Sequence, residues 1–510
     1  MVLHFIRKRS DGYVKCCTNV GVVAVYLLAC IGAGFITARK AKTVNAEDYF
    51  TSKNQLPPLA VAFSLVGTAM SGAMFLGVPG QAYTKGWPIV FGICMTSGMV
   101  GVLLANLLLA KPMRRYSEHH SCTTITEILV DIYEERKLRY ILIPTILLGN
   151  LFYGMAQWVS IGNLFAGLVG MDYKMAVLIG VAVTLLYTLL GGNSSNALVS
   201  VIQMFIACAA SIYVIFLALH LSGGFTQMNL NMAAVDIGNV SVLNDKVPLW
   251  TFLGFTFIYS IGMMGNPAAV IKFVQIKDHR LYPMCLTMAT LSYAVICFVP
   301  VAGMFMMHET AVGNMPVIES IDTVMPVFLA NYGSPLITGL VIAACLSCIM
   351  STGAALMFSA ASSLVKDILA DIFHVSIEGK KGVRYSQAAV LVLTVISAWI
   401  ALDPPGAIVD LAAQAWGLMA ACITFPLLFG MRWRRATRAS AFWGMITGFV
   451  IDIGPFLGIW KHPLPLSPGV TGMFASGIVM IIVSLCTKPG NKDFLPPTYA
   501  QMKAAMNSNK

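Results

Sequence analysis

Thirteen apolar stretches alternate with short polar connectors along the chain, at about 19–37, 57–80, 87–110, 141–170, 175–190, 198–221, 250–271, 286–306, 336–365, 388–402, 406–430, 441–460 and 470–486. Most approach the roughly 20 residues that a helix needs to cross a bilayer. None of them contains a lysine or an arginine. A cation at the bilayer centre costs roughly 2.5–3.5 kcal/mol even on insertion scales. The pattern therefore predicts an all-α polytopic membrane protein of about 13 transmembrane helices. A basic arm precedes the first stretch, as in a signal peptide. That stretch is long and lacks a small-residue cleavage site, so it reads as the first helix.

Composition agrees with the pattern. The chain is 57% hydrophobic and 11% charged, with a mean hydropathy of +0.77, too apolar for a soluble fold of 510 residues. A net charge of +11 points to nucleic acid in a soluble protein. Here 25 of the 33 lysines and arginines fall on one alternating set of connectors and the tail, leaving 8 for the other side. This is the excess expected of cytoplasmic loops. It predicts a multi-pass cell-membrane protein with a cytoplasmic carboxyl terminus and an external amino terminus, although Arg7, Lys8, Arg9 and Lys15 pull the other way. The cation-poor loops 222–248 and 308–335 then lie outside. No basic groove interleaved with aromatics is present, so no nucleic acid is expected. Twelve scattered cysteines and the placing of the histidines give no metal, haem or disulfide pattern. In the 111–139 connector, Ile125, Ile128, Leu129 and Ile132 recur at helical spacing.

Two apolar stretches are interrupted in matching places. The second reads Ser64-Leu-Val-Gly67-Thr68-Ala69-Met70-Ser71-Gly72 and then Gly77-Val-Pro79-Gly80. The seventh reads Tyr259-Ser260-Ile-Gly262-Met-Met-Gly265-Asn266-Pro267. They lie five spans apart, an odd offset, so they enter the membrane in opposite directions. Small residues in one such helix serve tight helix packing. A matched pair is the pointer to an inverted-repeat transporter with discontinuous helices around a midplane site. On the ninth stretch, Ser351 and Thr352 are adjacent hydroxyls at a helix midpoint. Such a pair either bonds back to its own helix or serves a dehydrated cation. On the fourth, Asn150, Tyr153, Gln157, Ser160 and Asn163 follow 3-4-3-3 spacing and share one face. That face meets either a solute or another helix.

At these residues the chain resembles the sodium:solute symporter family, which includes bacterial proline, pantothenate, sialic-acid and sugar co-transporters. The resemblance rests on Gly77-Val-Pro79-Gly80-Gln-Ala-Tyr83, Gly265-Asn266-Pro267, Ile349-Met350-Ser351-Thr352 and Ser362-Ser363-Leu-Val-Lys366-Asp367. It implies a leucine-transporter-type 5+5 inverted repeat with broken helices in spans 2 and 7. The implied divisions are an arm and first helix (1–56), two repeats (57–221 and 222–430), two peripheral spans (431–486) and a tail (487–510). The family's sodium site would use the carbonyls of Gly67, Met70 and Cys348 and the hydroxyls of Ser351 and Thr352. The solute region would include Thr68, Ser71, Tyr153, Gln157, Tyr259, Met263, Asn266 and Gln414, with Trp416 as a wall. The implied partners are a small solute, sodium and the bilayer, with a monomeric unit and no cofactor beyond the coupling ion.

Departures from the family's pattern narrow the expectation. Ala69 stands where many relatives, such as the proline carriers, have Asp, and Ser200 stands where many also have one near the start of span 6. Gly353, Ala354 and Ala355 replace hydroxyls that a second sodium needs. One sodium is expected, and a small carboxylate of the pantothenate type, since the Pro404-Pro405 turn resembles that branch. An amino acid, a sugar, or a channel or receptor derivative are the alternatives. No nucleophile, base and orienting partner converge, and no phosphate loop is present, so neither an enzyme nor an ATP-driven pump is expected. Asp452 within span 12 reads either as buried polar structure or as part of an ion path. Asp410 reads as an interface residue.

Overall fold

The computed structural model describes residues 21–29, 32, 46–50, 56–120 and 123–488. The expected first span is described, as helix, only over 21–29 and 32, and the tail after 488 lies outside the described residues. Helix α1 (Pro58–Ala69) starts on a proline, whose fixed φ suits a first helical turn. It ends at Met70, whose ψ of 85° leaves the helical region. Helix α2 (Ala73–Lys85) resumes after a 55° bend. Gly86, at φ 72°, turns the chain into α3 (87–110). Helices α4 (Arg139–Val169) and α5 (Tyr173–Leu221) follow. At 49 residues α5 would run about 74 Å, too far for one crossing. It breaks at Gly192 (φ 61°, ψ −166°), between the fifth and sixth apolar stretches.

The second half repeats the device. Helix α6 (Leu249–Gly265) and α7 (Pro267–Val274) meet at 50°. Asn266 caps α7 by accepting from the Ala269 N–H at 3.2 Å. Then come α8 (Tyr282–Ala311), α9 (Pro335–Ala370), α10 (Gly379–Ala401), α11 (Ile408–Arg432), α12 (Arg438–Phe456) and α13 (Pro468–Cys486). Among the described residues, eight unbroken helices are long and apolar enough to cross a membrane, and ten with the bent pairs counted as spans.

Burial grades these helices from centre to rim. The most apolar window of α9 is 94% buried, against 33% for α12 and 44% for α13. Helix α9 packs against α1, α4 and α5, so it forms the central post. Large apolar side chains such as Phe216, Trp399 and Ile478 remain exposed on outer faces. Surfaces like these suit lipid rather than water. The Gly-Val-Pro-Gly segment of α2 is a contact surface: a Cβ on Gly80 would lie 2.0 Å from the Ile321 carbonyl oxygen, and one on Gly303 of α8 1.9 Å from that of Pro79. Only glycine lets these backbones touch.

Two expectations need correcting. The tenth span begins at Gly379 rather than near residue 388, so Lys380, Lys381 and Arg384 occupy its first turns. Lys272, counted with the loop cations, is 2% exposed inside α7. In the 111–139 connector a helix forms over Ile125–Tyr133, and the four apolar residues at helical spacing are buried. It opens with a capping box: the Glu127 N–H donates to Thr124 Oγ1 and the Thr124 N–H to Glu127 Oε2, both at 3.0 Å.

Outside the spans, the turn Ile321–Thr323 ties down the start of α11: the Ile408 N–H donates to Asp322 Oδ2 at 3.3 Å. Burial raises the Asp322 carboxyl to about 6; the Ile408 N–H opposes the rise and nearby Asp410 adds to it. The folded protein thus holds this proton more tightly than the unfolded chain does. Stability falls as pH rises from about 4 to about 6 and is level above that. Asp322→Asn, which keeps an acceptor for Ile408, should flatten this slope. At pH 7.5 it should raise the apparent Tm, by at most about 3 kcal/mol of stability. Differential scanning fluorimetry between pH 4.5 and 7.5 reads both effects; parallel curves for the two proteins would refute the assignment.

Candidate functional site

The break after α1 strands carbonyls at a helix end that has no following turn to receive them. Helix α9 brings its two hydroxyls to that point. Thr352 Oγ1 donates to the Gly67 carbonyl at 2.5 Å and lies 3.4 Å from that of Met70. Ser351 Oγ lies 2.9 Å from Ser200 Oγ of α5, which donates to the Asn196 carbonyl at 2.8 Å. A Cβ on Gly67 would sit 3.0 Å from Ser351 Oγ, so the glycine sets how closely α1 and α9 approach. Cys348 stands one turn earlier on α9, buried. Gly67, Met70, Ser200, Ser351 and Thr352 thus bring five neutral oxygens into a buried cluster. Hard cations take oxygen ligands, and neutral oxygens suit an ion that must leave again. Among the described residues no group of His, Cys, Asp and Glu could hold a resident metal.

A second layer fixes the break itself. Gln157 Oε1 accepts the Gly72 N–H at 2.9 Å, and its Nε2 donates to the Tyr153 carbonyl at 3.1 Å. Ser160 lies so near that a Cβ on Gly72 would be 2.2 Å from its Oγ. Asn150 Nδ2 reaches Ser359 Oγ of α9 at 3.3 Å. Much of the polar face of α4 is therefore spent on other helices.

Beside the break lies a cavity of about 20 Å³, room for about one water. Its polar lining is Ser71, Tyr153, Tyr259 and Tyr293, with Ala69 and Ala73 between them. Trp416 of α11 backs it, with ring centroids 5.9 Å from Tyr153 and 5.2 Å from Tyr259. Among the described residues no acid, lysine, arginine or histidine lines it. Of the expected solute residues, Ser71, Tyr153 and Tyr259 meet here. Thr68 Oγ1 bonds back to the Ser64 carbonyl at 2.8 Å. Met263 packs towards Gly101, and Asn266 is occupied as a cap, with its buried Nδ2 lacking a partner among the described residues. Gln414 is exposed and lines a different cavity, with Trp250 and Asp452. The reason is helical phase: Trp416, two residues on, points about 200° away.

Three residues escaped the sequence-based choice of site. Ser200 was visible only as a missing acid, Tyr293 carries no local signal, and Lys272 sat at the end of an apolar run. Lys272 Nζ donates to Ser64 Oγ at 2.5 Å, and both are buried. Ser64 precedes Gly67 by one turn, which puts the ammonium at roughly 10 Å from the oxygen cluster. If Lys272 carries its proton, unit charges at that distance repel by about 1.7 kcal/mol at an effective dielectric of about 20. Lys272→Met should therefore bind sodium about tenfold more tightly and release it more slowly. Sodium titration of tryptophan fluorescence, paired with uptake rates, checks this; unchanged affinity would show that the lysine bears no charge felt at the cluster.

The profile of the sodium:solute symporter family matches residues 49–448. A sodium/proline symporter of Staphylococcus aureus (strain USA300) is 26% identical over 495 residues, spanning 92% of this chain and 93% of its own. The fold is similar to that of a Na+-coupled sialic acid symporter in a substrate-bound outward-open state, with a TM-score of 0.76, 18% identity, and coverage of 93% of this chain and 99% of that one. It is also similar to Mhp1, a nucleobase-cation-symport-1 family transporter in a closed conformation, at a TM-score of 0.54, 15% identity, and 88% and 96% coverage. Likeness at these identities concerns the fold alone.

Proposed function

Because the chain belongs to the sodium:solute symporter family, we propose that it imports a small organic solute together with sodium by alternating access. It is a multi-pass membrane transporter and not an enzyme. In this reading it has thirteen helices, with 57–221 and 222–430 as the inverted repeats, 431–486 as peripheral spans, and residues 1–56 and 487–510 as the flanks. The carboxyl terminus is cytoplasmic, the amino terminus external and the working unit a monomer. Sodium sits among Gly67, Met70, Cys348, Ser351 and Thr352, with Ser200 holding Ser351 from behind. The solute occupies an enlarged form of the cavity at Ser71, Tyr153 and Tyr259. The observation that carries the reading is the Thr352 hydroxyl bridging α9 to the frayed end of α1.

The solute is proposed to be a small carboxylate such as pantothenate. A carboxylate is favoured where a half-helix starts, as α2 does beside Ser71. The cavity lining offers no acid to a substrate ammonium, and Ala69 stands where an acid would supply one. Proline is the second reading, favoured by the sodium/proline symporter relatives. A thermal-shift screen of pantothenate, other small carboxylates, proline, sialic acid and sugars, with and without sodium, separates them. The expected result is stabilisation by a carboxylate only when sodium is present. Stabilisation by proline alone would transfer the assignment to an amino acid.

A further inference from the structure

A second cavity, of about 560 Å³, lies between α6, α11, α12 and the start of α13. Its volume is that of a small-molecule site. Trp250, Phe255 and Phe456 supply aromatic walls. Asp452 lies where α11 and α13 cross: its Oδ1 is 3.5 Å from a Cβ built on Gly417 and 3.1 Å from one on Gly469. Among the described residues it has no ion-pair partner. Ser467 Oγ, also on the lining, is buried and has no hydrogen-bond partner among the described residues. An unpaired carboxylate within a membrane helix is costly and marks a functional site by default. Ile258 and Ala413 line this cavity, while the adjacent Tyr259 and Ala412 line the central one. The two cavities thus lie on neighbouring faces of α6 and α11, about 100° apart around each helix.

We propose that this cavity is a binding site for an amphiphilic organic ammonium, distinct from the transported solute. The ring lies against the aromatic walls, the ammonium pairs with Asp452, and Ser467 accepts a further N–H. A carboxylate beside aromatic faces suits a cation that also carries apolar surface. A lipid tail would use the walls and leave the carboxylate bare.

The test uses the full-length protein in nanodiscs and tryptamine as the probe, with uncharged tryptophol as its matched control. Tryptamine should bind saturably, and tryptophol at least tenfold more weakly. Asp452→Asn should cost tryptamine at least tenfold. Gly254 lines the cavity, and a Cβ there meets only Ser467 Oγ, at 4.0 Å, so Gly254→Leu should fill the space and abolish binding without touching Asp452. The Ser351→Ala/Thr352→Ala variant should bind tryptamine as the wild type does. The proposal is overturned by absence of saturable tryptamine binding, by equal binding of tryptophol, by full binding in Asp452→Asn or Gly254→Leu, or by loss of binding in the double hydroxyl variant.

Discussion

Replacing Ser351 and Thr352 together by alanine raises the sodium concentration for half-maximal uptake at least tenfold, with normal insertion into the membrane. The variant removes two of five clustered oxygens, one of which holds the frayed end of α1 through the Gly67 carbonyl. A hydrogen bond to a charged group is worth roughly 1.5–3 kcal/mol. If a hydroxyl on a dehydrated cation is worth as much, losing two costs more than tenfold even where water refills one place. Thr352→Ala alone should have the larger single effect, since Thr352 reaches two carbonyls. Thr352→Ser should restore most of the affinity. Ser200→Ala should weaken sodium by less, because it touches the cluster through Ser351. Uptake measured against sodium concentration orders the four variants; an unchanged half-saturation value in the double variant would remove sodium from this cluster.

Gln157→Leu is expected to lower kcat/KM for solute by more than tenfold while changing sodium affinity only a few-fold. Its amide oxygen is the acceptor for the Gly72 N–H at the break, and leaving that buried donor unpaired costs about 1–3 kcal/mol. The loss is felt as a shift of α2, which carries Ala73, Met74 and Val78 in the cavity wall. Gln157→Glu keeps the acceptor and should retain more activity than leucine. Tyr259→Ala opens the cavity directly and should raise KM. Wild-type kinetics in Gln157→Leu would mean that the break holds its shape without this bond.

Much of this was legible along the chain because broken helices leave a local signature. Glycines, hydroxyls and proline at 64–80 and 259–267 mark where helical pairing fails, and adjacent hydroxyls at 351–352 mark what could meet it. The 3-4-3-3 face of α4 was equally visible, but its partner was not. Gln157 meets Gly72 across 85 positions of sequence, and no spacing rule reaches that far. Gln414 was misplaced because helical phase relative to the centre depends on which neighbours α11 packs against. Lys272 was assigned to a loop because hydropathy ends at the first cation, whereas α7 continues, buried, past the break. Gly353 was visible only as a missing hydroxyl; a Cβ there would lie 2.7 Å from the Trp158 ring, so a side chain at this position requires that ring to shift.

The central claim is symport of one sodium with one small carboxylate. Accumulation of radiolabelled pantothenate in proteoliposomes, under imposed sodium gradients and potentials, tests it most directly. One sodium with one monoanion moves no net charge. A tenfold inward sodium gradient, worth about 1.4 kcal/mol, should then drive about tenfold accumulation, and a potential of about 100 mV should leave it unchanged. Two sodium ions per anion would add about 2.3 kcal/mol from the same potential. Accumulation that rises steeply when the interior is made negative, or none driven by sodium at all, would contradict the account.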